Sequence, residues 1–170
     1  QTFRFVDVPS RPVPSLLRGF SAPVNLTIDL ADKDLEFLMA ADSDLFNRWQ
    51  AANTYAMRTL MQVVQALAAG KRSQRGAAYA RALEATLLDR SLEPAYRAEM
   101  LKLPSQSDIA RELAQNVDPA LVHRAHRQLT RLLATTIGGT LESLYSEMAD
   151  GGPFSPDAAS AGRRALRNAV

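Results

Sequence analysis

The feature that constrains the fold most is a run of apolar side chains at helical spacing between residues 45 and 67. These side chains recur every three or four residues over about six turns. They are Leu45, Trp49, Ala52, Ala56, Leu60, Val63, Val64 and Leu67. A pattern of this length predicts one long helix with a single apolar face, and Gly70 is a suitable stop just beyond it.

Shorter segments with the same spacing lie on both sides of this long helix. A short helix is predicted over residues 33–40. A third helix is predicted over residues 74–90, with Tyr79, Leu83 and Leu87 on one face.

Helix-start signals divide the next part of the chain. Pro94 suits the first turn of a short helix that ends before Pro104. Ser105 with Asp108 predicts a capping box, although Ser107 is an alternative cap.

The clearest start signal is Asp118-Pro119, a carboxylate cap followed by proline at the first helical position. This helix is predicted to continue to about residue 148, with Gly138 and Gly139 marking either a bend or a close contact with another helix. Its predicted inward residues are Val122, Ala125, Leu129, Leu132, Leu133, Thr136, Leu141, Leu144, Tyr145 and Met148. Ser155-Pro156 predicts a last helix that reaches Val170.

Residues 1–30 follow a different pattern. A long helix is excluded there by four prolines, Pro9, Pro12, Pro14 and Pro23. Residues 24–30 alternate apolar and polar side chains, which predicts a strand. Residues 2–8 are a second candidate, with Phe3 and Phe5 on one face and Arg4 between them, and residues 15–20 are a less regular third. Three strands cannot close an immunoglobulin-like sandwich, which needs about seven.

The predicted fold is therefore mainly α, with a few strands from an incomplete β-sandwich before it. Residues 1–30 are assigned to the end of the β-sandwich domain and residues 31–170 to a helical domain. No repeat of fixed period is visible, but helices of uneven length are compatible with an irregular α-solenoid.

Composition excludes several classes of function. The chain has no cysteine, which rules out disulfides and thiolate metal sites and favours a reducing, cytoplasmic compartment. Its net charge of +2 does not indicate nucleic-acid binding, and no apolar run approaches the roughly 20 residues that span a membrane. The start has neither an initiator methionine nor the pattern of a signal peptide, so we expect a piece of a longer protein.

Few residues qualify as candidates for a site. His123 and His126 share a helix face, but zinc needs at least three protein ligands, so we expect a surface or half-buried pair. Two arginine stripes suggest phosphate binding or a solvated helix face, and no aromatic residues interleave with them. The stripes are Arg124, Arg127 and Arg131, and Arg163, Arg164 and Arg167.

Three further residues have structural explanations. Asp42 and Asp44 stand just before the long apolar pattern and are predicted to start a helix rather than to form an acid–base pair. Trp49 is the only tryptophan and is predicted to anchor the helical core. The chain has no Gly-x-Ser-x-Gly motif for a nucleophile.

Four segments resemble bacterial aminopeptidase N, a gluzincin zinc aminopeptidase. Residues 16–24 (LLRGFSAPV) resemble the closing part of the family's immunoglobulin-like β-domain, and residues 42–51 (DSDLFNRWQA) resemble the start of its helical domain. Residues 101–105 (LKLPS) and 164–169 (RALRNA) are similar to later parts of the helical region. The four segments follow one another in the family's order.

The resemblance implies a large enzyme with an N-terminal β-domain, a thermolysin-like catalytic domain, a small β-sandwich and a helical domain. In that family the helical domain covers the active site and limits the route of peptides, which a zinc-activated water trims from the N-terminus. Neither the family's H-E-x-x-H zinc motif nor its Gly-Ala-Met-Glu-Asn substrate motif occurs in this chain. The resemblance therefore carries over no catalytic, cofactor-binding or metal residue.

These observations predict a non-catalytic structural and substrate-access module, inactive as an isolated chain. Its expected partners are the catalytic and β-domains of the parent enzyme, with peptides as the parent's substrates and zinc as the parent's cofactor. A free-standing helical protein-interaction module is the alternative. Because residues 1–30 carry apolar faces without covering sheets, we also expect self-association of the chain through them.

Overall fold

The computed structural model describes residues 4, 6–21, 24, 26–71, 73, 75–149 and 152–170. Within these residues the fold consists of eight α-helices and one short 3-10 turn at Arg18–Phe20. The helices are α1 (Asp32–Ala41), α2 (Leu45–Ala68), α3 (Ala77–Leu88), α4 (Pro94–Met100), α5 (Gln106–Leu113), α6 (Pro119–Thr136), α7 (Gly138–Glu147) and α8 (Ala158–Ala169). The prediction of a mainly α fold is confirmed.

Helix α2 lies at the centre of the fold, and α1, α3, α4, α5 and α6 all pack against it. Its apolar face is buried as predicted, with Leu60 and Val63 fully shielded from solvent. Leu83 of α3 and Leu129 of α6 complete the same core at 0% and 1% exposure. Leu45 is an exception, since it lies in the first turn of α2 and is exposed.

The last helix, α8, packs mainly against α4 and also contacts α7. Gly162 of α8 lies so close to α4 that a Cβ added to it would meet the backbone nitrogen of Ala95 at 3.2 Å. A side chain at position 162 would therefore require α4 or α8 to shift by a few tenths of an ångström.

Side-chain caps explain where several helices begin. The Asp118 carboxylate accepts hydrogen bonds from the backbone N–H groups of Ala120 at 2.8 Å and Leu121 at 3.3 Å. Ser105, rather than Ser107, caps α5, and Asp108 accepts from the Ser105 backbone N–H at 3.0 Å in return. Both predicted caps are confirmed.

Two helix starts lie later than the sequence predicts. Helix α3 begins at Ala77 rather than near residue 74, after Gly76 with a φ of 119°. Helix α8 begins at Ala158 rather than at Ser155-Pro156, because the Asp157 carboxylate caps it by accepting from the Ser160 N–H at 2.9 Å.

The predicted helix from 119 to about 148 is two helices, α6 and α7. They meet at Ile137, whose φ of −119° and ψ of 18° interrupt the helical backbone just before Gly138. Ile137 itself is buried, at 1% exposure, and the change of direction rotates the helix face. Thr136 and Tyr145 are therefore exposed, and the prediction that they face inward was wrong.

The predicted strands are not present in the described part of residues 1–30. A strand needs a neighbour to complete its hydrogen-bond ladder, and here the extended segment runs along α1 and α2 instead. The third candidate, residues 15–20, contains the 3-10 turn. Residues 2, 3, 5 and 25 of the predicted strands lie outside the described residues.

Among the helices of the described residues, none combines the length and the apolar character required to cross a membrane.

Candidate functional site

Arg18 fastens the N-terminal segment to the junction between α1 and α2. Its Nη1 donates to Asp42 Oδ1 at 2.7 Å, and its Nη2 donates to Ser43 Oγ at 2.7 Å. The Asp42 side chain is completely buried, whereas the Arg18 side chain is 46% exposed. Because a buried carboxylate needs a compensating partner, this ion pair holds the segment at a defined position.

Two residues at the start of α2 add hydrogen bonds to the same segment. Asn47 Nδ2 donates to Ser15 Oγ and to the Leu16 carbonyl, both at 2.9 Å. Asp44 Oδ2 accepts from the Gly19 N–H at 3.2 Å. We refer to the contacts made by Arg18, Asp42, Ser43, Asp44 and Asn47 as the N-terminal clamp.

Asp44 also caps α2, as the sequence predicts. Its Oδ1 accepts from the Asn47 N–H at 3.1 Å. Chiefly this hydrogen bond, together with those from other backbone N–H groups, holds the pKa of the Asp44 carboxyl below its ordinary value. Asp42 has a different role from the predicted one, since it accepts from Arg18 and from the Asp44 N–H and does not cap α2.

The clamped segment has an unusual backbone. Leu17 and Phe20 adopt φ values of 55° and 56°, in the left-handed region that side chains other than glycine rarely occupy. Such strain persists only where the surrounding structure determines it, and the clamp supplies those contacts. The ring of Phe20 in turn contacts the ring of Phe46 at a centroid distance of 4.6 Å and a tilt of 51°, and the ring centroids of Phe46 and Trp49 lie 5.6 Å apart.

An apolar groove of about 650 Å³ lies between the clamped segment and helices α1 and α2. Phe20, Val24, Leu26 and Ile28 line it and remain exposed, with 73% exposure at Phe20. Contiguous exposed apolar side chains of this kind mark a surface that another part of a protein covers. We refer to this feature as the apolar groove.

Arg58 of α2 fixes the far end of the segment where it enters α1. Its Nη1 donates to the Leu30 carbonyl at 2.8 Å and to Asp32 Oδ1 at 2.7 Å. Nearby, the Tyr55 hydroxyl donates to Glu36 Oε1 at 2.9 Å, and burial together with this carboxylate raises the Tyr55 pKa. Arg58 and the clamp therefore hold the segment at both ends.

The two histidines lie on α6, as predicted. His123 is exposed and its Nδ1 lies 3.3 Å from Gln106 Nε2, whereas His126 is half-buried. Burial, and secondarily the charge of His123, lowers the His126 pKa. In the part of the chain that the structure describes, no three His, Asp or Glu residues lie close enough to hold a metal ion.

The two arginine stripes differ from each other. Arg124, Arg127 and Arg131 line an open cleft of about 410 Å³ beside α6, together with Leu67, His123 and Gln128. In contrast, the guanidinium groups of Arg164 and Arg167 lie over the rings of Phe154 and Tyr145, at 4.7 and 4.5 Å from the centroids. The first stripe therefore faces an open cleft, whereas two guanidinium groups of the second cover aromatic rings.

Trp49 is half-buried and packs against the core, so it contributes to the core without being fully enclosed.

Sequence analysis did not identify Arg18, Asn47 or Arg58 as functional residues. In most of their contacts these three residues bind partners that are 24 or more residues away in the chain, so no local sequence pattern identifies them. Arg18 and Asn47 do, however, lie inside segments 16–24 and 42–51, whose resemblance to one family was the available signal. The fold brings these two segments into direct contact.

Comparisons with known proteins agree with this resemblance. Residues 32–170 match the family model described as "Domain of unknown function (DUF3458_C) ARM repeats". The chain is 45% identical over 169 residues, 99% of its length, to aminopeptidase N of Caulobacter vibrioides, and 38% identical over 146 residues, 86% of its length, to aminopeptidase N of Escherichia coli. It covers 19% and 17% of these two proteins, about a fifth of their length.

A solved structure has the same fold over nearly the whole chain. It is the crystal structure of Legionella pneumophila aminopeptidase A in complex with aspartic acid, with a TM-score of 0.78 and 27% sequence identity. The match covers 98% of this chain and 20% of that one.

Proposed function

We propose that this chain, which belongs to the family described as domain of unknown function DUF3458_C with ARM repeats, is the non-catalytic structural and substrate-access module of a zinc aminopeptidase. The chain is homologous to the helical domain of bacterial aminopeptidase N. In this role its helices wall a chamber and admit only the ends of peptides to a metal held by another domain.

The N-terminal clamp is the observation that carries this proposal. A module that shapes a chamber must be held at a defined position relative to the domain before it in the chain. The buried Asp42 carboxylate, paired with Arg18 at 2.7 Å, supplies such a joint between residues 1–30 and the helices. We propose that residues 1–30 are the end of a β-domain in the longer enzyme and that residues 31–170 are the first part of its helical domain.

The apolar groove supports the same proposal. Phe20, Val24 and Leu26 are exposed on one surface of the chain, and burying one such side chain stabilises a protein by about 1.5–3 kcal/mol. A β-domain seated on this groove would cover these side chains and supply neighbours to the backbone of residues 26–30.

Catalysis would come from outside this chain. Its residues do not fit a zinc site, because the sequence lacks H-E-x-x-H and the described residues contain no group of three ligands. We therefore expect no hydrolysis of an amino-acid amide by the isolated chain and no stoichiometric zinc.

A chimera tests the proposal. The 170 residues would replace the matching 169 residues of Caulobacter vibrioides aminopeptidase N, and the chimera would be compared with the parent and with a variant lacking that region. We expect the chimera to hydrolyse a single amino-acid amide and to discriminate between short and long peptides as the parent does. Chimeras carrying Arg18→Ala should lose part of this discrimination, whereas Arg81→Ala, at an exposed position outside the clamp, should not.

Two results would contradict the proposal. One is a folded chimera whose peptide discrimination equals that of the deletion variant. The other is turnover, or one tightly held zinc, that copurifies with the isolated 170-residue chain.

Self-association of the isolated chain is a second readout of the uncovered groove. We expect the 170-residue chain to associate through residues 1–30, and a chain that starts at Ala31 to be more monomeric while retaining most of its helical circular dichroism. Light scattering decides between these states, and a monodisperse monomer of the full chain at high concentration would count against an uncovered surface.

A further inference from the structure

Acidic residues are absent from the two segments that form the basic cleft beside α6. The sequence contains no Asp or Glu from residue 45 to residue 83, which includes all of α2, and none from residue 119 to residue 141, which includes all of α6. The near-balanced net charge of +2 therefore conceals a strong local excess of positive charge.

Three arginines of α6 share one side of this cleft. Arg124, Arg127 and Arg131 follow one another at intervals of three and four residues, so they lie on one helix face and extend along it for about 10 Å. All three are exposed, and no described carboxylate lies within ion-pair distance of any of them.

The alternative is a purely structural role, in which these arginines would cap the C-terminus of α2, where Leu67 lines the cleft. Three of the last four carbonyl groups of α2 already have partners, however. Gln65, Leu67 and Ala66 accept from the N–H groups of Ala69 at 3.1 Å, Gly70 at 3.0 Å and Lys71 at 2.8 Å. The arginines are therefore not required to satisfy the end of α2.

The wall of the cleft is also held in place. Gln128, which lines the cleft, donates from its side chain to the Ser73 carbonyl and so ties α6 to the loop after α2. Arg75 of the same loop donates to Gln62 Oε1 at 3.1 Å, which ties that loop back to α2. A cleft whose walls are fixed in this way has less to lose in conformational entropy when a ligand binds.

We propose that this cleft binds a small oxyanion that carries several negative charges. Guanidinium groups bind phosphate and carboxylate oxygens through paired, charge-assisted hydrogen bonds, and the volume of about 410 Å³ is within the range of ligand sites. Because the three arginines extend over about 10 Å, an anion with charges on successive groups engages more of them than a single phosphate does. This site is independent of the peptide-access role.

Isothermal titration of the 170-residue chain with three probes tests the site. The probes are tripolyphosphate, citrate and inorganic phosphate, each at low and at physiological ionic strength. We expect saturable binding of tripolyphosphate or citrate, tighter than about 1 mM at physiological ionic strength, and weaker binding of inorganic phosphate. Whichever of the two multivalent probes binds more tightly identifies the ligand as phosphate or carboxylate in type.

Matched variants distinguish the cleft from general charge attraction. The double variant Arg124→Gln/Arg127→Gln should weaken binding about tenfold or more, because it removes two charge-assisted contacts. Arg81→Gln removes the same charge from an exposed position on α3 outside the lining and should change the affinity less than about twofold. Circular dichroism checks that each variant keeps its helices.

Three results would overturn the proposal. They are the absence of saturable binding by the unmodified chain, binding of inorganic phosphate as tight as that of both multivalent probes, and equal losses of affinity in the double variant and in Arg81→Gln.

Discussion

The N-terminal segment and the helical body are stabilised in different ways. In the body, α2, α3 and α6 bury large apolar side chains to 0% or 1% exposure at Leu60, Leu83 and Leu129. In the segment, polar contacts made by Arg18, Asn47 and Arg58 attach an extended backbone whose apolar side chains stay largely exposed.

This difference shows which region can fold without help. Burial of apolar area is the main source of folding free energy, so the body carries its own driving force. The segment makes few apolar contacts with the body, chiefly through Val13 and Leu30, and depends on a few hydrogen bonds. The segment should therefore open locally long before the body unfolds.

The largest expected effect tests the packing of the body. Leu83→Ala should lower the free energy of unfolding by about 2–5 kcal/mol, because it leaves a cavity at a fully buried position of α3. Leu88→Ala, on the same helix at 56% exposure, is the matched control and should cost far less. Urea denaturation measures both, and equal losses would show that the body is not close-packed around α3.

The next effect tests the clamp. Arg18→Ala removes the charged partner of the buried Asp42 and should destabilise the attached segment by roughly 1–3 kcal/mol. We expect faster limited proteolysis within residues 16–30 and nearly unchanged helical circular dichroism. Arg18→Lys retains the charge without the forked geometry and should have an intermediate effect. Loss of the helices together with the segment would contradict the claim that the body stays folded when the segment opens.

A smaller effect tests a cap that belongs to the body alone. Asp118→Ala should cost about 0.5–2 kcal/mol, since the N–H groups of Ala120 and Leu121 lose their acceptor at the start of α6. Asp118→Asn keeps an acceptor oxygen and should retain most of the stability. The proteolysis rate of residues 16–30 should not change in either variant. A change there would mean that the local stability of the segment depends on the start of α6.

The smallest effect is a dependence on pH. The folded-state pKa of His126 lies below its ordinary value of 6.5, mainly because of burial, so the folded chain binds fewer protons there than the unfolded chain. The stability contributed by neutral His126 is therefore complete above about pH 6.5 and is lost as the pH falls below it, through the lower pKa of the folded chain.

Denaturation at about pH 7.5 and about pH 5.5 measures this effect above the range in which carboxylates titrate. His126→Gln should reduce the difference between the two pH values. His123→Gln removes only the smaller cause of the shift and should leave most of the difference in place. An unchanged difference in His126→Gln would assign the pH dependence to other groups.

Local signals in the sequence were sufficient to predict most of the helices. Apolar spacing identified the inward faces of α2 and α3, and the caps at Asp118 and Ser105 marked helix starts, because each of these signals acts within a few residues. Gly138 and Gly139 indicated a bend beside the division of α6 from α7 at Ile137, but two separate helices were not predicted, because apolar side chains continue on both sides.

The N-terminal segment could not be predicted in the same way. Alternating side chains in residues 24–30 indicate a backbone with two different faces, and a segment lying along helices has two such faces without being a strand. The Arg18–Asp42 ion pair joins residues 24 positions apart, so no periodic pattern contains it. The basic cleft was predicted only as an arginine stripe, because a sequence does not show whether a helix face is covered.

The close approach at Gly162 has a consequence for the distance between α4 and α8. Because only a hydrogen atom separates the α8 backbone from Ala95, the angle between α4 and α8 depends on the size of one substituent. Even a methyl group would force a shift of a few tenths of an ångström at this point. A side chain at position 162 would push α8 away from α4, so Gly162 sets how closely these two helices pack.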